Sequence, residues 1–175
     1  IGLVGSEMCI RDRSKTVSVS LGHTTASYDI AKQAYDLGAT RATHLFNAMP
    51  PFNHREPSVV GAALDNENTF VEIICDGIHI HPSMIRATFK MFGDDRVILV
   101  SDAMMATGME NGTYELGGQE VTMKDRKATL ADGTIAGSAT NLFDCMRKAV
   151  SFGIPLESAI KACTKNPAES INIFD

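Results

Sequence analysis

FVEIICDGIHIHPSMIRATFKMFGDDRVILVSDA, residues 70–103, reads as strand, helix, strand, with chemically able side chains where the strands run out. Residues 70–75 are rich in β-branched and aromatic types, which suit a pleated, half-buried surface. Residues 82–92 follow a helical pattern, with Pro82 in the first turn and Gly93 just past the end. VILV, residues 97–100, is an unbroken apolar run of the kind expected when a strand is covered on both faces. The first strand leads to Asp76 and His79, the second to Asp102.

The same alternation extends upstream. VSVSL, residues 17–21, alternates apolar and polar residues as a strand does and ends at His23. Residues 27–37 place Ile30, Ala31, Ala34 and Leu37 at helical spacing, and Gly38 is a natural stop. Residues 42–46 read as a second short strand that carries His44. Strands alternating with helices argue for a parallel sheet in an α/β fold. Downstream, residues 113–134 are Gly-rich and suggest small antiparallel hairpins inserted after a strand. Helical periodicity returns at residues 141–152, 156–163 and 167–171. No internal repeat or low-complexity tract interrupts this order.

Parallel strands of a barrel aim their C-terminal ends at one face, so His23, His44, Asp76, His79 and Asp102 would share one pocket. The intervals between the endings fit one βα unit each, the middle one with a longer loop. Two imidazoles and a carboxylate gathered there can hold a divalent cation and manage a proton. Taken singly, each residue has a plainer reading. A lone His after an apolar strand is commonly structural, and a strand-terminal Asp commonly caps the next helix. His54 reads as a solvated loop residue and His81 as a helix cap. Met104, Met105 and Met109 read as gap-fillers.

Composition removes several classes of function. The 175 residues carry a net charge of −5, which leaves no basic footprint for nucleic acid or an anionic membrane. No apolar run approaches the roughly 18 residues that a membrane span needs. Four scattered cysteines (Cys9, Cys75, Cys145, Cys163) form no C-x-x-C pair, which points to reduced thiols in a cytoplasmic protein. Residues 1–13, IGLVGSEMCIRDR, lack both the basic start and the long apolar core of a signal peptide. SEMCIRDR looks like translated sequencing adapter, so residues 1–13 are expected to be a non-native leader.

GHTTASYDIAKQAYDLGATRATHLFNAMPPFNHREP, residues 22–57, resembles the signature of the N-acetylglucosamine-6-phosphate deacetylases, a branch of the amidohydrolase superfamily. DGIHIHP, VILVSDA, DGTIAGS and TKNPAESINI follow in that family's order. The resemblance implies metal-dependent hydrolysis of an acetamide on a phosphorylated amino sugar, with zinc or iron as the divalent ion. His23 and His44 would be metal ligands and Asp102 the catalytic acid/base. Asn47, Ala48, Arg55 and His79 would meet the phosphate, with Arg55 reaching into the neighbouring subunit of a homodimer. Asp76, Gly77 and Ile78 would line the substrate pocket, and Ile135, Ala136 and Gly137 in the TIAGS turn would close over the sugar.

A (β/α)8 barrel typically takes about 250 residues. Residues 14–175 are therefore expected to be the C-terminal half of a TIM-type catalytic barrel, roughly strands five to eight with their helices. The family's remaining metal-ligand glutamate and a further His have no counterpart before His23, so this length of chain is expected to be inactive alone, with an exposed edge strand at residues 17–21. Two other readings stay open: another amidohydrolase acting on a cyclic amide, and a non-catalytic, doubly wound ligand-binding module. The second would want a Gly-rich phosphate loop after the first strand, and GHTTAS is a poor one.

Overall fold

Residues 17–173 are described by the computed structural model. Four strands, β1 (Val19–Leu21), β2 (Ala39–Ala42), β3 (Phe70–Ile74) and β4 (Val97–Val100), pair in chain order, and every pairing is parallel. Helices α1 (Tyr28–Asp36), α2 (Ser58–Asp65) and α3 (Pro82–Phe92) supply the crossovers that parallel neighbours require. The fold class is α/β.

Local chemistry sets the helix ends. The Ser27 hydroxyl accepts from Ile30 N at 3.4 Å to open α1, and Asp29 adds an acidic residue to the first turn. The His81 ring accepts from Ser83 N at 3.2 Å to open α3, the capping role expected of it, and Gly93 at φ 74° closes that helix. The C-terminus of α2 lacks a basic residue of its own. Arg96 serves instead, its guanidinium donating to the carbonyls of Ala63, Leu64 and Asn66 while lying 5.0 Å from the Phe92 ring centroid.

The main core sits between sheet and helices, with Val71, Ile73, Val97 and Leu99 inaccessible or nearly so. Three more helices, α4 (Leu142–Ser151), α5 (Leu156–Cys163) and α6 (Lys165–Ser170), return to pack beside β4. Buried Asn166 anchors them by donating to Asp94 O and Val97 O, both at 2.7 Å. The Ser158 hydroxyl meets the Asp94 carboxylate at 2.6 Å, and Lys161 pairs with Asp95.

Between β4 and α4 the chain makes a second sheet. Strands β5 (Gly112–Leu116), β6 (Gln119–Lys124), β7 (Lys127–Thr129) and β8 (Ile135–Ser138) are antiparallel and also in chain order, as the Gly-rich composition predicted. The two sheets meet at Ser138. Its N–H donates to Asp102 O at 2.8 Å, its carbonyl accepts from Met104 N at 2.9 Å, and Ala103 and Ser138 form a parallel bridge.

Three sequence expectations change. The strand expected at residues 42–46 lies at Ala39–Ala42, because pairing with β1 and β3 is complete there and residues 43–49 then turn. The TIAGS segment is strand β8 rather than a turn, held by β7 on one side and by the Asp102–Met104 backbone on the other. Helix α2 has no counterpart in the sequence reading. Val59 to Ala63 are all buried, so no polar face marks the helical period. The expected leader, residues 1–13, and Cys9 lie outside the described residues. Among the described residues no helix is long and apolar enough to cross a membrane.

Candidate active site

The four parallel strands place their chemistry by one rule. β1 ends at Leu21, β2 at Ala42, β3 at Ile74 and β4 at Val100. His23, His44, Asp76 and Asp102 each stand two residues beyond those ends. A strand's side chains repeat every two residues, so this spacing keeps all four in equivalent positions along the C-terminal edge. His23, His44 and Asp102 also adopt left-handed backbone angles, φ 45°, 31° and 48°. Such values are uncommon for residues with a Cβ and cluster where function over-determines the backbone.

The rings of His23 and His44 meet edge to face, with centroids 4.7 Å apart and planes at 77°. His23 is exposed, whereas His44 is only 6% accessible and its Nδ1 is buried without a hydrogen-bond partner. Gly22 allows this approach. A Cβ there would lie 2.7 Å from the Thr43 Cβ, so any side chain would push the His23 turn away from the His44 turn. Leu45 N donates to Glu72 O at 2.6 Å and pins the His44 turn to β3.

Glu72 and Arg41 are functional candidates that the sequence reading passed over. Both line a cavity of about 590 Å³ together with Ser101 and Asp102, and Leu142, Pro167 and Ile171 form its apolar part. Burial raises the Glu72 carboxyl above its ordinary range; Arg41 and His44 pull it back, and Asp102 adds to the rise. The signal was a charged residue inside each of two short apolar strands, ATRA and FVEII. Asp102 itself is exposed beside this cavity. Among the described residues no group of three or more His, Cys, Asp or Glu side chains is placed to hold a metal ion. His23 and His44 are thus brought together, while Asp102 shares their edge without joining a ligand cluster.

The remaining predicted residues occupy the loops above the strands. The side-chain amide of Asn47 donates to the carbonyls of His44 and Leu45, each at 3.3 Å, closing the turn that carries Ala48 at φ 51°. Arg55 is exposed beside exposed His54, with its N–H on the Asn53 side chain at 3.1 Å. Asp76 and His79 form a tight pair. Asp76 Oδ1 accepts from Ile78 N at 2.8 Å and His79 N at 2.9 Å, and Oδ2 lies 2.7 Å from His79 Nδ1. Burial opposes ionisation of Asp76, but these hydrogen bonds outweigh it and hold its carboxyl below the usual range. The stabilisation is complete above the ordinary aspartate value and is lost as pH falls through the lowered one. Gly77, at φ 81°, faces the Phe152 ring. Ile135 is half-buried and Ala136 buried on β8, while Gly137, at φ 65°, sits over Met104 and the Asp102 carbonyl. Cys75, Cys145 and Cys163 are free thiols, and burial pushes Cys75 up to about 12 and the others to about 11, which leaves them inert near neutrality.

A model of the amidohydrolase family matches residues 7–175. The chain belongs to the amidohydrolase family. Within that family it is 39% identical over 164 residues to an N-acetylglucosamine-6-phosphate deacetylase from Bacillus subtilis (strain 168), covering 93% of this chain and 41% of the relative. An N-acetylgalactosamine-6-phosphate deacetylase from Escherichia coli O157:H7 is 34% identical over 162 residues, covering 92% and 43%. Among solved structures, a point mutant of N-acetyl-D-glucosamine-6-phosphate deacetylase from Mycobacterium smegmatis, in complex with N-acetyl-D-glucosamine-6-phosphate, superposes with a TM-score of 0.94 at 36% identity. That match covers 97% of this chain and 46% of the other. This amidohydrolase chain therefore spans about two fifths of the length of the curated relatives it matches.

Proposed function

We propose that the chain forms part of a metal-dependent deacetylase acting on N-acetylglucosamine 6-phosphate, releasing acetate and glucosamine 6-phosphate. The observation that carries the reading is the His23–His44 contact, in which His44 Nδ1 is buried without a hydrogen-bond partner. Likeness to deacetylases at 34–39% identity supplies the substrate class. In this reading the parallel strands β1 to β4 are strands five to eight of a (β/α)8 barrel, and residues 14–175 belong to its C-terminal half. The complete enzyme is a cytoplasmic homodimer, and three free thiols accord with that compartment.

His23 and His44 are this chain's ligands for a divalent ion, zinc or iron, and an orphaned imidazole nitrogen is the kind of donor such an ion takes. When bound, the ion polarises the acetyl carbonyl and lowers the pKa of a bound water. Asp102 takes the water's proton as it attacks and returns it to the departing amine. Arg55 offers the phosphate a forked donor from the neighbouring subunit, while His79, Asn47 and Ala48 position the phosphate from within. Asp76, Gly77 and Ile78 shape the pocket wall. Ile135, Ala136 and Gly137 cover the sugar from β8.

A chimera tests this reading. Residues 14–175 replace the matching region of the Bacillus subtilis relative, and acetate release is followed on N-acetylglucosamine 6-phosphate, its galactosamine epimer and a cyclic amide. Turnover of an acetamido sugar phosphate that is lost in His23→Ala, His44→Ala and Asp102→Asn is the expected result. A folded, metal-loaded chimera that opens only the cyclic amide would refute it. The 175-residue chain alone is expected to release no acetate, because among the described residues two imidazoles meet without a third ligand.

A further inference from the structure

We infer that Asp76 is a positioning residue that holds the proton of His79 on Nδ1, so that the ring meets its ligand through Nε2. The inference deepens the sugar-phosphate reading, and only its anion arm rests on that reading. The geometry is over-determined. Asp76 and His79 side chains are 4% and 7% accessible and lie 2.7 Å apart. The other Asp76 oxygen is fixed by two backbone N–H groups, from Ile78 and His79. Two fixed donors favour the ionised carboxylate, and an ionised carboxylate can only accept. The hydrogen between the pair therefore belongs to Nδ1, and the loop rather than the ring sets the tautomer.

The surroundings reinforce this choice. Asp76, Gly77 and Ile78 share a cavity of about 260 Å³ with Arg126 and Asp125 of the β6–β7 turn and Lys148 of α4. Arg126 is itself paired with the Asp144 carboxylate, so the hydrogen bonds from His79 and Ile78 are what hold Asp76 ionised. Cys75 on the Asp76 segment and Cys145 on α4 stay neutral near pH 7.

A consequence follows for anions. With Nδ1 committed, neutral His79 presents a bare Nε2, which repels a phosphate oxygen as one lone pair repels another. His79 therefore holds an anion only as imidazolium, and binding takes up a proton. Asp76→Asn reverses the arrangement. Its carbonyl oxygen keeps both backbone bonds, while its NH2 now donates to Nδ1 and moves the ring hydrogen to Nε2.

Long-range ¹H–¹⁵N spectra of the full chain, labelled at histidine, read the tautomer directly. Wild type is expected to show the hydrogen on Nδ1 and Asp76→Asn to show it on Nε2. Hydrogen on Nε2 in wild type, or an unchanged tautomer in the variant, overturns the inference. If the variant does not fold, the wild-type spectrum still decides. Glucose 6-sulfate, whose charge is constant across the imidazole range, is then added. A raised His79 midpoint in wild type but not in the variant supports both the inference and the sugar-phosphate reading. The expected tautomers with no response to the sulfate support Asp76 as the positioning residue and overturn the anion arm, in which His79 holds the phosphate.

Discussion

The parallel and antiparallel sheets differ in how they are buried, and the difference separates stability from access. Three of the four β4 residues and three of the five in β3 are buried, whereas β6 alternates, with only Val121 and Met123 turned inward. β4 is almost wholly buried, but β3 turns Glu72 toward the cavity that Arg41 also lines and β1 is half-buried, so the parallel sheet is the more covered of the two without being closed on both faces. The small sheet packs on a cluster of few residues, among them Met104, Val121 and Met123. It joins the parallel sheet through β8 at Ser138, beside Asp102. The sheet with the larger core thus carries His23 and His44, while the one on the smaller cluster flanks Asp102 and the Asp76 loop.

Ile73→Ala should break this contrast most severely. Ile73 is fully buried in the parallel sheet, and such truncations cost about 4 kcal/mol once the residual cavity is included. Chemical denaturation of the chain should show the midpoint falling with no change in slope. A loss below about 1 kcal/mol would mean that the parallel sheet is not the centre of stability.

Val121→Ala probes the other side. Removing two buried methyl groups from β6 should cost about 2 kcal/mol. Because the small sheet packs on a cluster of its own, that loss should appear as faster amide exchange in β5 to β7, with β1 to β4 unchanged. Equal acceleration in both sheets would show one cooperative unit and dissolve the distinction.

The contrast also sorts what the sequence made legible. Helix α3 and strand β4 were readable to the residue, because Pro82, Gly93 and an unbroken apolar run are local signals. The endings before His23, Asp76 and Asp102 were readable because each polar residue follows an apolar run, whereas His44 fell inside the strand expected at residues 42–46. The turn at residues 43–49 was not, since His44, Phe46 and Ala48 adopt positive φ without glycine, through contacts such as Leu45 N to Glu72 O. Strand β8 looked like a turn because its partners, β7 and the residues around Asp102, lie elsewhere in the chain. Arg41 and Glu72 were hidden because only the fold shows that their side chains enter the cavity.

The smallest effect tests how the antiparallel sheet touches α4. Arg126 in the β6–β7 turn donates to Thr140 Oγ1 at 3.0 Å and to the Asp144 carboxylate at 2.9 Å. Its side chain is 56% exposed, so the ion pair contributes about 0.5 kcal/mol. Against it stands the backbone: Arg126 sits at φ 67° and Asp125 at φ 53°, where a residue with a Cβ loses about 1 kcal/mol. Arg126→Ala removes the pair and keeps the strain, so it should lower stability by about 0.5 kcal/mol. Arg126→Gly removes both, and the relief should exceed the lost pair despite the extra flexibility of the unfolded chain. Thermal unfolding should therefore rank glycine above alanine and close to wild type. The reverse ranking would mean that the left-handed backbone at Arg126 carries no strain large enough for glycine to relieve.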